Sequence, residues 1–373
     1  MKRTLALLLA ATLFCGALVG CGNAAANSVP ARPEVLPEYN PNPLTGLEKD
    51  GGYPYGQRPV AVMINNIKES LPQSGIAGAD LIYEMVTEGG ITRMMAVYSD
   101  LSKAGGYIGP VRSARDQHIQ MMLPLNALYV HIGASTFARD MLETYHYADK
   151  SIDGNPTAVR DTVFWLDEER HKTKDIEHCW YTSSELIQNG IRKYKLDAEG
   201  EPEAIFRFRS YKENARMLPL SGASSAHIQF SASYYSDFTY EPSSGKYLKS
   251  EFGEPQIDAA TGEQLAFNNV LILFTNISPR PDGVLMNVDY SFGGIGYYLC
   301  GGNYEPVRWM KGTPESPLRI VSAEGDEEEI EINPGKSYIA VVGLDQFSSL
   351  TIGADNPLTL PDSASSEALS KNS

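Results

Sequence analysis

The chain has 373 residues and carries 46 acidic against 31 basic side chains, a formal net charge of −15. That excess argues against nonspecific nucleic-acid binding and against lying flat on anionic lipid. The length exceeds one ordinary domain of roughly 150 residues. Past the leader no segment offers the roughly eighteen consecutive apolar residues that a spanning helix needs.

At the start, Lys2 and Arg3 precede the apolar run Leu5 to Leu13, which leads into "LVGC" at Leu18 to Cys21. This pattern predicts a signal peptide with a lipobox over 1–21, Cys21 being the lipidated residue. The mature chain is then extracytoplasmic and held to the cell membrane by its lipid. Loss of the leader leaves 46 acidic against 29 basic side chains, a balance of −17. Residues 22–43 are small, polar and proline-rich and read as a tether, and 354–373 read as a loose tail. A break near "PLSGASS", Pro219 to Ser225, divides the rest into a first domain, 44–222, and a second, 223–353.

In the first domain "RPVAVMIN" suits a buried strand. "ADLIYEMVTEGGITRMMAVYS" holds two strand-like runs around Gly89-Gly90, a hairpin signal. A short strand at Tyr107-Ile108, a helix near Ser113 to Leu123 and a strand at Asn126 to Ile132 form a strand–helix–strand unit. Its short loops predict a parallel, right-handed crossover. A second helix near Phe137 to Tyr147 should bury Phe137, Met141, Leu142 and Tyr145, and a third covers Ser183 to Tyr194. In the second domain Ile228 and Phe230, then Val284, Met286, Val288 and Tyr290, then Ile330 and Ile332 alternate in twos between turn signals. That predicts an antiparallel sheet with one wet face. The fold class is therefore α+β, or layered α/β: a mixed sheet with helices in the first domain and an antiparallel β-rich second domain.

Ser113 and Asp116 match a capping box, which would start the helix at Ser113. Arg112 and Arg115 then stand where the helix dipole disfavours cations. Arg115 also lies on the stripe of Ile119, Met122 and Leu123, so its guanidinium leans inward and needs a partner. That partner is either a carboxylate of the hairpin, Glu84 or Glu88, or an anionic ligand held with free amides at the helix start. The crossover would bring the loops "GPVRS" and "HIGAST" to one sheet edge, gathering Arg112, Arg115, His131, Ser135 and Thr136 into a polar cleft.

Other chemistry finds little support. "HIGASTF" starts like a nucleophile elbow, but Phe137 stands where the second glycine is required, so its hydroxyls read as helix caps. The histidines show no tight metal spacing, and the cysteines form no CxxC; neither metal nor cofactor is expected. Trp180 and Tyr181 serve as loop anchors or as an aromatic wall beside the cleft. Cys179 and Cys300, the pair left in an oxidising compartment, are either one disulfide or two buried thiols.

The ordered set "NPLTG", "RPVAVMINN", "PQSGIAGADLIYEMVTEGGITR", "GPVRSAR" and "YVHIGAS" resembles the YerB-like lipoprotein family. "HCWYTS" resembles that family's H-N-x-Y segment with Cys179 in place of asparagine. In the second domain "NNVLILF", "YEPVRWMKG" and "NPGKSYIAVV" extend the resemblance to nearly all of the mature chain. It implies a two-part extracytoplasmic lipoprotein of Gram-positive type, built from domains of unknown function. Its motif positions fall on Glu84, Glu88, Arg93, Arg112, Arg115, His131 and His178. The change at Cys179 implies a lineage-specific disulfide with Cys300.

The leading functional expectation is binding without catalysis. The anionic small molecule, wall polymer or envelope protein would be held by Glu88, Arg93, Arg112, Arg115, His131, Ser135 and His178. The alternative is a hydrolase or transferase acting on a cell-wall or other envelope substrate, with His131 or His178 as general base within about 3 Å of the reacting group. A third reading gives the tyrosine-rich second domain an aromatic binding surface.

Overall fold

"VAVMIN" forms strand β1 (Val60–Asn65), "LIYEMV" forms β2 (Leu81–Val86) and "TRMMAVY" forms β3 (Thr92–Tyr98), every residue of all three being buried. Largely apolar runs of this kind suit strands covered on both faces. In this computed structural model the described residues are 38–154, 162–325 and 327–353. The leader with Cys21 and the 354–373 tail lie outside them.

These strands lie in an eleven-stranded mixed sheet. Its order runs Arg319–Ser322, Asn303–Met310, Gly294–Cys300, Asn269–Thr275, Ser337–Gly343, β2, β3, β1, β5 (Leu128–His131) and β6 (Ser151–Asp153), and the eleventh strand, Leu220–Ser221, pairs with Asn303–Met310 off this path. The hairpin at Gly89-Gly90 joins β2 to β3 antiparallel, with Tyr83 opposite Met95. β1 runs parallel to β5, and β2 runs parallel to Ser337–Gly343. That last pairing joins strands from either side of the compositional break at 222/223. The composition changes there, but one sheet carries strands from both sides of it, so the two parts share a core.

Alternate side chains of the central strands feed opposite layers. Val62, Ile64, Ile82 and Met94 pack with Ile228, Phe238 and Tyr247 of a smaller antiparallel sheet, and with Ile187 and Ile191 of helix α4 (Ser184–Tyr194). Met63, Tyr83, Met85 and Met95 pack on the other side with Ile119 and Met122 of helix α1 (Asp116–Met122), and with Tyr290 and Trp309. The smaller sheet is built on Ser225–Gln229, Tyr235–Glu241 and Lys246–Glu251.

Several expectations need correction. Strand β4 (Tyr107–Ile108) leaves the main sheet; with β8 (Trp180–Ser183) and β7 (Trp165–Leu166) it makes a separate three-stranded sheet. The parallel partner of β5 is therefore β1. Helix α2 (Thr136–Thr144) packs against α1 near the sheet edge and buries only Ala138, so Phe137, Met141, Leu142 and Tyr145 are half-covered. The folded part begins before residue 43: Pro41 bridges Glu48, and the Asn42 amide bonds Ser99 Oγ at 2.9 Å. Val284 is exposed in the turn of a small hairpin, and Ile332 makes a single bridge with Phe208. Tyr247, Tyr290, Tyr297, Tyr298, Tyr304 and Tyr338 are buried, while Tyr234, Tyr235 and Tyr240 are half-covered.

Candidate functional site

The turn after β2 exists because Gly89 and Gly90 both take positive φ, 64° and 74°, where side chains are strained. It projects Glu88 toward Arg93, at the start of β3. The segment after β4 threads between β1 and the loop after β5. The Arg112 amide donates to Met63 O at 2.9 Å, that of Ile132 donates to Arg112 O at 3.1 Å, and that of Ala114 donates to Gly133 O at 2.9 Å. The two loops therefore converge as expected, although β4 itself lies in another sheet.

Helix α1 opens on Arg115, whose extended backbone makes it the N-cap, without a side-chain cap. The capping box at Ser113 does not form. The Ser113 carbonyl accepts from Arg93 Nη1 at 2.7 Å, and the Asp116 carboxylate turns away to pair with Arg280. Arg280 takes the carboxylate that a capping box would turn back to the Ser113 amide.

Arg115 meets Glu88 at two points, Nε to Oε2 at 2.8 Å and Nη2 to Oε1 at 2.5 Å. Arg93 pairs with the same carboxylate. Burial opposes the ionisation of Glu88, but the hydrogen bonds of Arg115 and the charges of both arginines outweigh it, holding the carboxyl at about 2. Burial, with repulsion from Arg115, lowers Arg93 to about 9. Arg112 stands apart: its Nη1 meets Glu177 Oε2 at 3.2 Å, and that glutamate's side chain is 48% exposed. Four guanidinium groups thus gather around the start of α1 with three carboxylates, Glu88, Asp116 and Glu177.

His131 and Ser135 do not join them. The buried His131 ring has Nδ1 at 2.9 Å from Gly133 O, which requires a proton there, so Nε2 accepts from Ser151 Oγ at 3.0 Å. Burial lowers its pKa. His131 instead borders a cleft of roughly 350 Å³ with Arg139, Ser151 and Asp153. Ser135 caps α2 by accepting from the Ala138 amide at 3.1 Å. His178 does join the cluster. Asn65 Nδ2 lies 2.8 Å from its Nδ1, and its Nε2 lies 3.7 Å from Glu177 Oε1. Burial lowers this histidine's pKa as well.

Cys179 and Cys300 are free thiols, not a disulfide. Cys179 donates toward Asp175 O at 3.4 Å, and Cys300 accepts from the Asn333 amide at 3.4 Å. Tyr181 is buried as an anchor, stacking obliquely on Trp165. Among the described residues no group of three or more His, Cys, Asp or Glu side chains could hold a metal ion.

Sequence reasoning missed Arg280, which arrives from the second part, and Asn65 and Glu177. It also missed the partners of Glu84. On the opposite face from Arg93, Glu84 Oε1 accepts from Thr92 at 2.8 Å and from Asn66 at 3.0 Å, and its Oε2 accepts from Tyr338 at 2.6 Å. Lys249 Nζ reaches Glu251 at 3.0 Å, Gln256 at 2.7 Å and Glu84 at 3.4 Å, and Asn66 also bonds Glu251 at 2.6 Å. All of these side chains are buried. A signal existed: Lys249 and Glu251 share the parity of Tyr247, the inward face of their strand.

Residues 44–197 match the family described as "Protein of unknown function (DUF3048) N-terminal domain", and residues 226–339 match the corresponding C-terminal domain. The chain is 28% identical over 305 residues to "Putative lipoprotein YerB" of Bacillus subtilis (strain 168), covering 80% of this chain and 85% of that one. It is also similar to the crystal structure of the YerB protein from Bacillus subtilis, with a TM-score of 0.71 and 25% identity over 84% of this chain and 99% of the other. With both domains matched in order and the fold shared, the chain belongs to the YerB-like family.

Proposed function

We propose that this chain is a lipid-anchored extracytoplasmic protein that binds an anionic ligand of the cell envelope at the Arg112 end of the arginine cluster, without catalysing a reaction. The leader pattern ending at Cys21 and a relative whose name carries the word lipoprotein support the location. The charge arrangement supports the binding. In a chain of net charge −15, Arg93, Arg112, Arg115 and Arg280 pair with three carboxylates, Glu88 serving both Arg93 and Arg115. Arg93 and Arg115 are committed to Glu88 and act as framework. Arg112, whose carboxylate partner Glu177 is half-exposed, is the group an incoming anion can recruit.

The expectation for Arg115 therefore passes to Arg112. Titration of the protein with inorganic phosphate and with soluble wall fragments tests this reading: Arg112→Ala should abolish binding with the melting temperature nearly unchanged. Undiminished binding by that variant would refute it. His131, with both ring nitrogens engaged, lends no support to hydrolase chemistry.

A further inference from the structure

Glu177 occupies the Arg112 end of the cluster in a particular way. Its two carboxylate oxygens face two donors, Oε2 toward Arg112 Nη1 at 3.2 Å and Oε1 toward His178 Nε2 at 3.7 Å. The imidazole is set for this. Asn65 Oδ1 accepts from the Ile67 amide at 3.4 Å, which turns Asn65 Nδ2 toward His178 Nδ1 at 2.8 Å. Nδ1 is then the acceptor, and the ring proton sits on Nε2, pointing at the carboxylate.

The backbone around this pair is pinned independently of Glu177. Arg170 donates from Nε to His178 O at 2.9 Å and from Nη2 to Ser70 O at 2.5 Å and Leu71 O at 3.2 Å. The Arg112 amide is likewise held by Met63 O at 2.9 Å. The backbones that carry the donors are therefore held in place, while the carboxylate they face hangs on a half-exposed side chain with contacts of 3.2 and 3.7 Å. Glu88, by contrast, is gripped at two points by Arg115.

From this geometry we infer that Arg112 Nη1 and His178 Nε2–H form a two-point carboxylate seat, and that Glu177 fills it as an internal competitor until a ligand carboxylate displaces it. The inference rests on the anion-binding reading above and adds to it a ligand group and a self-occupied resting state. An internal competitor weakens apparent affinity by the fraction of molecules whose seat is free. A contact like that of Arg112 with Glu177, worth up to about 1 kcal/mol when exposed, sets the expected gain on its removal at about fivefold.

Calorimetric titration of the full chain in detergent, with acetate and with inorganic phosphate, tests this. Glu177→Ala should bind acetate about fivefold more tightly than the unaltered protein. Adding Arg112→Ala or His178→Ala to that variant should remove the gain. Thermal melts identify any variant that fails to fold, and Glu177→Gln, which keeps the side chain's volume, supplies a second version of the release. If Glu177→Ala and Glu177→Gln bind acetate no better than the unaltered protein while Arg112→Ala still weakens binding, the seat's self-occupancy is wrong and the anion site stands. If neither the unaltered protein nor either Glu177 variant binds acetate or phosphate, the anion-binding reading falls with it.

Discussion

Glu88 and Arg115 meet through two hydrogen bonds, at 2.8 and 2.5 Å, across the gap between the β2–β3 turn and the first turn of α1. A residue in a position unfavourable to cations is thereby explained. Its guanidinium does not face the helix dipole alone, because a carboxylate from the hairpin neutralises it, and Arg93 completes the bridge from the sheet. The cluster ties α1 to the central sheet at the point from which Arg112 emerges.

Glu88→Gln should cost about 3–5 kcal/mol, because it leaves two largely buried guanidinium groups without their counter-charge. Urea denaturation measures this. With the folded carboxyl held at about 2, the contribution is complete above the ordinary value of 4.5 and is lost as pH falls through 2. Below pH 4.5 the unaltered protein should therefore lose stability more steeply than Glu88→Gln.

Lys249→Met should also cost about 3–5 kcal/mol, since it removes the ammonium that faces the buried carboxyls of Glu84 and Glu251. The double variant Lys249→Met, Glu251→Gln should recover part of that loss, because one of the stranded carboxyls is gone. Denaturation midpoints of the three variants form the cycle; a double variant worse than the sum of the singles would refute the coupling.

The same buried group makes stability depend on pH in the opposite sense to Glu88. Burial raises Glu251 to about 8, against the pull of Lys249. The folded state then holds a proton that the unfolded chain releases at about 4.5, so this contribution is greatest below 4.5 and is lost as pH rises through 8. Glu251→Gln should flatten the decline in stability between pH 5 and 8. Buried His118, lowered to about 3, acts the other way: its contribution is present above 6.5 and lost as pH falls toward 3.

Cys179 and Cys300 should both be alkylated in guanidinium without reductant, as peptide mass mapping would record. Burial raises both thiols, so exposure decides: in the native protein the buried Cys179 should react more slowly than the partly exposed Cys300.

Much of this was legible from the sequence where period and turn chemistry act locally. β1, the β2–β3 hairpin, α4 and the inward lean of Arg115 all follow from apolar runs, paired glycines and stripe position. The pairing of β2 with Ser337–Gly343 was not legible, because two parallel strands far apart in the chain leave no local mark of their adjacency. Nor was the failed capping box: Ser113 and Asp116 are the right residues, but Arg280, distant in sequence, claims the Asp116 carboxylate, and the helix opens at Arg115. His131 fits its loop by position, yet its side chain turns toward Ser151, a choice made by the packing of β6.

The most direct test is an anomalous difference map from crystals soaked in selenate. Binding at the Arg112 end predicts a selenium peak within hydrogen-bond distance of Arg112 Nη1, with the Glu177 carboxylate displaced. A map with no peak there at saturating selenate, and with Glu177 still seated on Arg112, would contradict it.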